Sequence, residues 1–423
     1  MNTNGMLSSP SAITILITGV AACASLALLS ASAAQGAESK IAPSDQESRG
    51  APSIAQPVVM PTFWMPHAGS GWVDFKSAEG GQILIPVVLN GQAARALIDT
   101  GVDQMLVSKE FVATHHLAVI PGGTVGSFGG SSRYDYATDI SLDVGALRTT
   151  VPGAFIVMDL SSARRGGNID AFDVIIGLAL LARLGWEIDQ DHHRFRFFRS
   201  GTVPIADGIA VHIGPNKSRL LTDLQVNGKP ITPTMIDTGS DDAISLPTAT
   251  AREVGFKAET DIAASGLGGL AVLPLGKLSE VQIGRERLDD VYSTVGGTNW
   301  YDEAGVKAMI GMKILQDYNM IVDAGSGKMQ LAERALRPPP QPKSTLGIQG
   351  IYVDGKLPIV HVMKNSPAAD AGLKDGDAVC AVNGEAMSQA LMDRKWARAA
   401  PGSRYQLRLC NGTSHYMTSR TFY

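Results

Sequence analysis

The sequence predicts a mainly β protein: two pseudo-symmetric lobes of one fold, succeeded by a small module of another kind. Three observations predict it. An apolar pair followed by Asp-Thr-Gly stands at 97–101 and again at 235–239. The same landmarks surround each copy in the same order. A stretch that no helix or central strand tolerates, "RALRPPPQPKS" at 334–344, then separates the repeat from the C-terminal residues.

The elements run in order along the chain. "ILIPVVLN" and "LLTDLQVN" are strand-like runs ending in Asn-Gly, a strong hairpin signal, with Gly91 eight residues before Asp99 and Gly228 nine before Asp237. "ARALID" and "TPTMID" return as strands and lead each aspartate into a tight turn. "GSFGG" and "SGLGG" put Gly129 and Gly268 at 30 and 31 residues past the aspartates. "VIIG" and "AMIG" end at Gly177 and Gly311, 78 and 74 past them, and Asp189 and Asp323 follow 12 residues later. "GLALLARLG" and "GMKILQDYN" read as helices of about two turns. "HRFRFF" and "GKMQLA" close the lobes, which the spacing assigns to 71–200 and 201–335. The Pro-rich linker runs over 336–344 and the last module over 345–423.

Composition narrows the function. A chain of 423 residues holds about two to three domains, and 44% apolar with 18% charged residues is ordinary globular material. A net charge of −4 leaves no basic footprint for nucleic acid. The 46 glycines between β-branched runs suit a fold of many turns.

Residues 1–37 stand apart. The apolar stretch 12–29 and the small residues after it read as a secretory signal cleaved between Ala33 and Ala37, although residues 1–11 carry no Lys or Arg. Two other readings stay open: an uncleaved membrane anchor, or a lipoprotein acylated at Cys23. Each places the mature chain outside the cytoplasm, in the periplasm for a cleaved signal, and only the latter two involve a membrane. Residues 38–70 read as a tether or pro-like segment, with "FWM" and "GWVDF" as possible starts of the fold. Cys380 and Cys410 lack metal-pair spacing; small buried residues and a disulfide both remain open.

The doubled Asp-Thr-Gly, the later apolar-apolar-Gly and the Gly-rich hairpin between them resemble the aspartic peptidases, retroviral and pepsin-like, over about 81–333. "DTGSDDA" is similar to a retropepsin active-site loop. One Asp-Thr-Gly is weak, because turns favour these residues; two in register are specific. The resemblance implies two acid-protease β-barrel lobes with Asp99 and Asp237 as the catalytic pair. Thr100, Gly101, Thr238, Gly239 and Ser240 would support the two loops, the threonines by reaching across the lobe interface. Phe128, Gly129, Leu267 and Gly268 would sit in flaps over substrate. Asp103 and Asp241 would contact substrate main chain, or else finish a turn. The retropepsin Gly-Arg-Asn that supplies their cation is replaced by Gly177-Leu178-Ala179 and Gly311-Met312-Lys313. Val102, where the second copy has Ser240, makes the two sides unequal.

The residue types suit the chemistry. Metal-free peptide hydrolysis needs a base for water and an acid for the leaving amide, and two carboxyls sharing one proton supply both. At about 3 Å and an effective dielectric of about 20, two carboxylates repel by roughly 5 kcal/mol. That is about four pK units, enough to keep the pair singly protonated near neutrality, as is known for aspartic proteases as a class. No cofactor or metal is expected, and two lobes in one chain need no dimer. The adjacent pairs His115-His116 and His192-His193 read as surface or strand positions, and Asp189 and Asp323 as turn formers.

Beyond the prolines, "SPAADAGL", "GD" and "NG" resemble a PDZ domain of the bacterial protease-associated type. That resemblance implies a loop of Thr345, Leu346, Gly347 and Ile348 receiving a chain-terminal carboxylate. The peptide would add as a strand against a helix over 388–400; a closed structural cap is the other reading. Together these features predict an exported aspartic endopeptidase whose PDZ module recruits peptides or proteins. The rival is a non-catalytic peptide-binding protein of the same fold. Two intact aspartates and two intact threonines favour the enzyme.

Overall fold

The computed structural model describes residues 62–78, 80–127, 130–151, 155–161, 172–214, 219–266, 269–296, 298–337 and 343–423. The signal-like segment, Cys23 and the flap residues Phe128, Gly129, Leu267 and Gly268 lie outside them. The chain is mainly β, and the described residues form four sheets.

Seven neighbouring strands repeat in the same order between the two lobes. In the first, the order is Ile83–Leu89, Gln92–Ile98, Val174–Ile176, Leu106–Ser108, Phe155–Met158, Gly130–Ala137, Val119–Ser127. In the second it is Leu220–Val226, Lys229–Ile236, Ala308–Ile310, Ile244–Pro247, Glu286–Gly296, Gly269–Ile283, Ala258–Gly266. The pairings match in sense too: Gln92–Ile98 runs parallel to Val174–Ile176, as Lys229–Ile236 does to Ala308–Ile310. Each opening hairpin turns on an Asn-Gly pair with both φ positive, 48° and 78° at Asn90-Gly91 and 50° and 74° at Asn227-Gly228. Such a turn matches the twist of its strands, and Asn and Gly tolerate that backbone. Alternation places Ile83, Ile85, Val87 and Leu89 in the core.

A third sheet joins the lobes. Its order is Ile209–Ala210, Lys328–Glu333, Tyr318–Asp323, Gly185–Asp189, Arg194–Phe198, Val73–Asp74. The central pair comes from opposite lobes, antiparallel, with Trp186 opposite Val322 and Ile188 opposite Met320. Trp186, Phe195, Tyr318 and Met320 belong to one buried cluster running through both lobes.

Several expectations need correction. The fold begins before residue 71, because Thr62–Trp64 pairs with Leu147–Val151 and Met65 is buried; residues 62–70 are therefore not tether. The helices after Gly177 and Gly311 are Leu178–Leu181 and Met312–Leu315, about one turn each rather than two. Their residues are mostly buried, and the chain must turn back quickly to enter the joining sheet.

The last module has its own sheet, Ile348–Gly350, Leu357–Val362, Ala378–Val382, Arg404–Leu409 and Ser414–Thr418, with Glu385–Ala386 beside Ala378–Val382. It has its own core around Leu346, Val379, Leu391, Trp396 and Leu407. Cys380 and Cys410 form a disulfide within it. The helix expected over 388–400 stops short: Gln389–Asp393 is helical, Lys395 takes a left-handed φ of 50°, and one 3-10 turn follows at Trp396–Arg398. The break turns Trp396 into the core. Among the described residues no helix is long and apolar enough to cross a membrane; the stretch 12–29 is outside them.

Candidate active site

Each aspartate sits where a strand ends beneath the core. Asp99 follows Gln92–Ile98, and its N–H donates to Ile176 O at 3.1 Å; Asp237 follows Lys229–Ile236, and its N–H donates to Ile310 O at 2.9 Å. The chain then turns, and its first amides bind the carboxyl it has just passed. Gly101 N–H donates to Asp99 Oδ1 at 2.8 Å. Gly239 and Ser240 N–H donate to Asp237 Oδ1 at 2.9 and 3.2 Å. Val102 has no side-chain hydroxyl to match Ser240, whose Oγ accepts from Asp242 N–H at 3.2 Å.

The threonines tie the two loops together. Thr100 Oγ1 donates to Ile236 O at 2.7 Å and accepts from Thr238 N–H at 3.0 Å. Thr238 Oγ1 donates to Ile98 O at 2.8 Å and accepts from Thr100 N–H at 3.1 Å. All four bonds cross between lobes and are buried, so each loop fixes the other. Gly177 and Gly311 pack behind: a Cβ on Gly177 would lie 2.1 Å from Gln104 O, and one on Gly311 2.4 Å from Asp242 O.

The two carboxyls face the opposite loop. A Cβ added to Gly101 would sit 2.6 Å from the Asp237 carboxyl, and one on Gly239 2.4 Å from that of Asp99. Both aspartates are wholly buried at 0% exposure, and Oδ2 of each has no hydrogen-bond partner. A proton shared between the carboxyls removes that deficit. Burial raises both pKa values, Asp99 to about 7 and Asp237 well above its ordinary value. The second rise is steeper because the charge on Asp99 opposes ionisation of Asp237. The values belong to the pair.

The flanking acids differ between the halves. Burial pushes Asp103 up to about 6, against the charge of Arg219. Arg219 is 2% exposed, and its own pKa is lowered by burial against the pull of Asp103 and Asp237. This cation comes from the other lobe, immediately before Leu220–Val226, not from the Gly-Arg-Asn position. The matching residue of the first lobe, immediately before Ile83–Leu89, is the neutral Gln82, whose Nε2 donates to Gly239 O at 3.5 Å. Asp241, partly exposed but crowded, is pushed up to about 7 by desolvation and by Asp242, with Lys313 opposing. Neither Arg219 nor Gln82 belongs to a motif. The only signal that could have found them is register, since each stands 17 or 18 residues before its aspartate.

The remaining expected residues are placed elsewhere. Asp189 caps a turn through His192 N–H at 3.1 Å and pairs with Arg194 Nε at 2.7 Å. Asp323 accepts from Ser200 Oγ at 2.6 Å and Gly201 N–H at 2.8 Å. In the C-terminal module, Thr345 N–H donates to Ala397 O at 3.1 Å and Gly347 N–H to Ser344 Oγ at 2.8 Å. Two amides of the 345–348 loop are thus engaged within the module. Among the described residues no group of three or more His, Cys, Asp or Glu is arranged to hold a metal ion.

Two family models match parts of the chain. Residues 222–314, in the second lobe, match the family model described as Aspartyl protease. Residues 344–413 match the one described as PDZ domain. No curated protein matches the chain. Among solved structures, a retropepsin-like aspartic protease from Rickettsia conorii is similar at 20% identity and a TM-score of 0.24, covering 29% of this chain and 89% of that one. The chain therefore carries an aspartyl protease domain, matched in its second lobe, followed by a PDZ domain.

Proposed function

We propose that the protein is an exported, single-chain aspartic endopeptidase in which Asp99 and Asp237 act as one catalytic unit. The observation that carries this is the reciprocal threonine grip, which sets two buried carboxyls over each other's loop with one unpartnered oxygen apiece. The ionised carboxyl takes a proton from water as the water oxygen attacks the peptide carbonyl carbon. The protonated carboxyl gives its proton to the carbonyl oxygen. Collapse of the tetrahedral adduct then breaks the C–N bond: the proton first taken from water passes to the leaving amine, and one adduct hydroxyl returns its proton to the other carboxylate, restoring the singly protonated pair. The glycine-rich hairpins ending at Phe128-Gly129 and Leu267-Gly268 cover the bound chain, and Asp103 and Asp241 meet its backbone. The PDZ module recruits peptide or protein substrates. Export is supported by the Cys380–Cys410 disulfide, a bond that persists in oxidising compartments.

Cleavage of a diverse peptide library by the full chain tests this, with Asp99→Asn and Asp237→Asn as controls. Each variant should lose nearly all turnover, and the double variant little more, because the pair works as a unit. A folded single variant with near wild-type turnover refutes the dyad. N-terminal sequencing of the exported protein should find a start between residues 34 and 38; a start at a lipidated Cys23 or at Met1 refutes the cleaved signal.

A further inference from the structure

The second lobe's glycine-rich hairpin consists of Ala258–Gly266 and Gly269–Ile283, and Ala258–Gly266 is the last strand of its sheet. The outer edge of that strand is held by the PDZ module. The Gln349 side-chain amide accepts from Ala263 N–H at 2.7 Å and donates to Ala263 O at 3.1 Å, pairing as a neighbouring strand would. Two residues back, the buried Asp261 carboxyl accepts from Lys364 N–H at 2.8 Å and meets Lys364 Nζ at 3.1 Å and His361 Nε2 at 2.9 Å. The other His361 nitrogen faces Asp375 at 3.2 Å. Two residues further back, Glu259 O accepts from Asn365 Nδ2 at 2.8 Å. Thr260 Oγ1 also donates to Lys364 O at 2.7 Å. Residues 259, 261 and 263 share one side of the strand's pleat, so the contacts run along the strand for most of its length.

The module is thus not merely tethered by the prolines. It grips the strand that the peptidase reading makes one side of a covering hairpin. With both carboxyls at 0% exposure, a peptide reaches them only if a covering segment shifts. The hairpin cannot lift without carrying the PDZ module along or breaking these bonds.

We propose that the PDZ module is a latch that holds this hairpin closed over Asp99 and Asp237, so that release of the latch admits substrate. The latch rests on the peptidase reading, in which the hairpin covers the site. The residues that form it, Gln349, Lys364 and Asn365, touch neither substrate nor the carboxyls; they act by positioning the hairpin. Gln349 lies within Ile348–Gly350, the edge strand of the PDZ sheet, so a chain added there lies next to the latch.

The test uses the full-length protein with Gln349→Ala and Asn365→Ala combined. Two readouts are taken: hydrogen exchange of the amides in 258–275, with the first lobe's hairpin at 119–137 as internal reference, and kcat/KM for a peptide too short to reach the PDZ module. Losing contacts of this size should make opening about tenfold more frequent. Exchange in the second hairpin should rise by about that factor, the reference hairpin should not change, and kcat/KM should rise mainly through KM. Lys364→Ala, which removes an exposed ammonium from Asp261, should shift both readouts the same way by less, and serves if the double variant does not fold. Unchanged exchange in folded variants overturns the latch. Faster exchange with unchanged kcat/KM overturns it too, because the hairpin then does not limit entry. If wild type cleaves nothing in the library while exchange still rises, the clamp on the hairpin stands and the peptidase reading fails.

Discussion

At the scale of single residues, two carboxyls are buried against each other's loop. Both are raised by burial, so protonation favours the fold. The contribution of Asp99 to stability is full below the ordinary 3.8 and is lost as pH rises through about 7, and that of Asp237 runs in the same direction. Urea midpoints at about pH 5 and about pH 8 should therefore differ more for wild type than for Asp237→Asn, which should be the more stable form at the higher pH. Equal pH dependence in the two proteins would show that the carboxyls ionise freely. The threonine grip gives a second expectation. Thr100→Val keeps the shape but leaves Ile236 O and Thr238 N–H buried without their partner, a loss of about 2 kcal/mol. Denaturant unfolding measures it, and a loss below about 0.5 kcal/mol would mean that the loops do not depend on each other. These residues were legible in the sequence because turn chemistry and repetition both mark them. Arg219 and Gln82 were not. A lone Arg or Gln before a strand carries no pattern, and its meaning appears only when the opposite lobe is folded beside it.

At the scale of elements, short-range chemistry dictates the parts that could be read. Asn-Gly pairs with positive φ fix the hairpins at 90–91 and 227–228. Alternating burial fixes the strands around them. Lengths were harder. The apolar runs after Gly177 and Gly311 look long enough for two helical turns. Part of each run is spent reaching the joining sheet, where tertiary packing outweighs local propensity. The broken helix at Lys395 has the same cause, since burying Trp396 matters more than extending a helix into solvent. The disulfide between Cys380 and Cys410 ties two parts of the PDZ core separated by 30 residues. Replacing both cysteines by serine should lower the stability of this module by roughly 3 kcal/mol, with the protease lobes melting as before. A shift in the lobes' own transition would indicate that module and lobes unfold as one.

At the scale of the whole molecule, the division into lobes and module was legible, but their docking was not. Ala263 and Gln349 are ordinary residues in sequence, 86 positions apart, and nothing in either neighbourhood announces a contact. On the peptidase reading, removing everything after Leu336 should preserve cleavage of short peptides, raise it if the latch holds, and abolish any preference for protein substrates bound by the PDZ module. A folded truncation with no turnover would make the module part of the site. The same truncation uncovers the outer edge of Ala258–Gly266, so the truncated chain should associate more readily than the full one, as light scattering would show.

The unlike partners of the two flanking acids have a consequence of their own. A cleft between identical halves reads a peptide equally well in either sense, because a half-turn about the symmetry axis exchanges its ends. Here one half presents Asp103 beside the buried cation Arg219, and the other presents Asp241 beside Gln82, Asp242 and Lys313. The half-turn no longer maps the cleft onto itself. On the peptidase reading, two headings of a bound chain that symmetry would make equal in energy become unequal, and the chain lies in the cleft in one preferred sense from its amino to its carboxyl end.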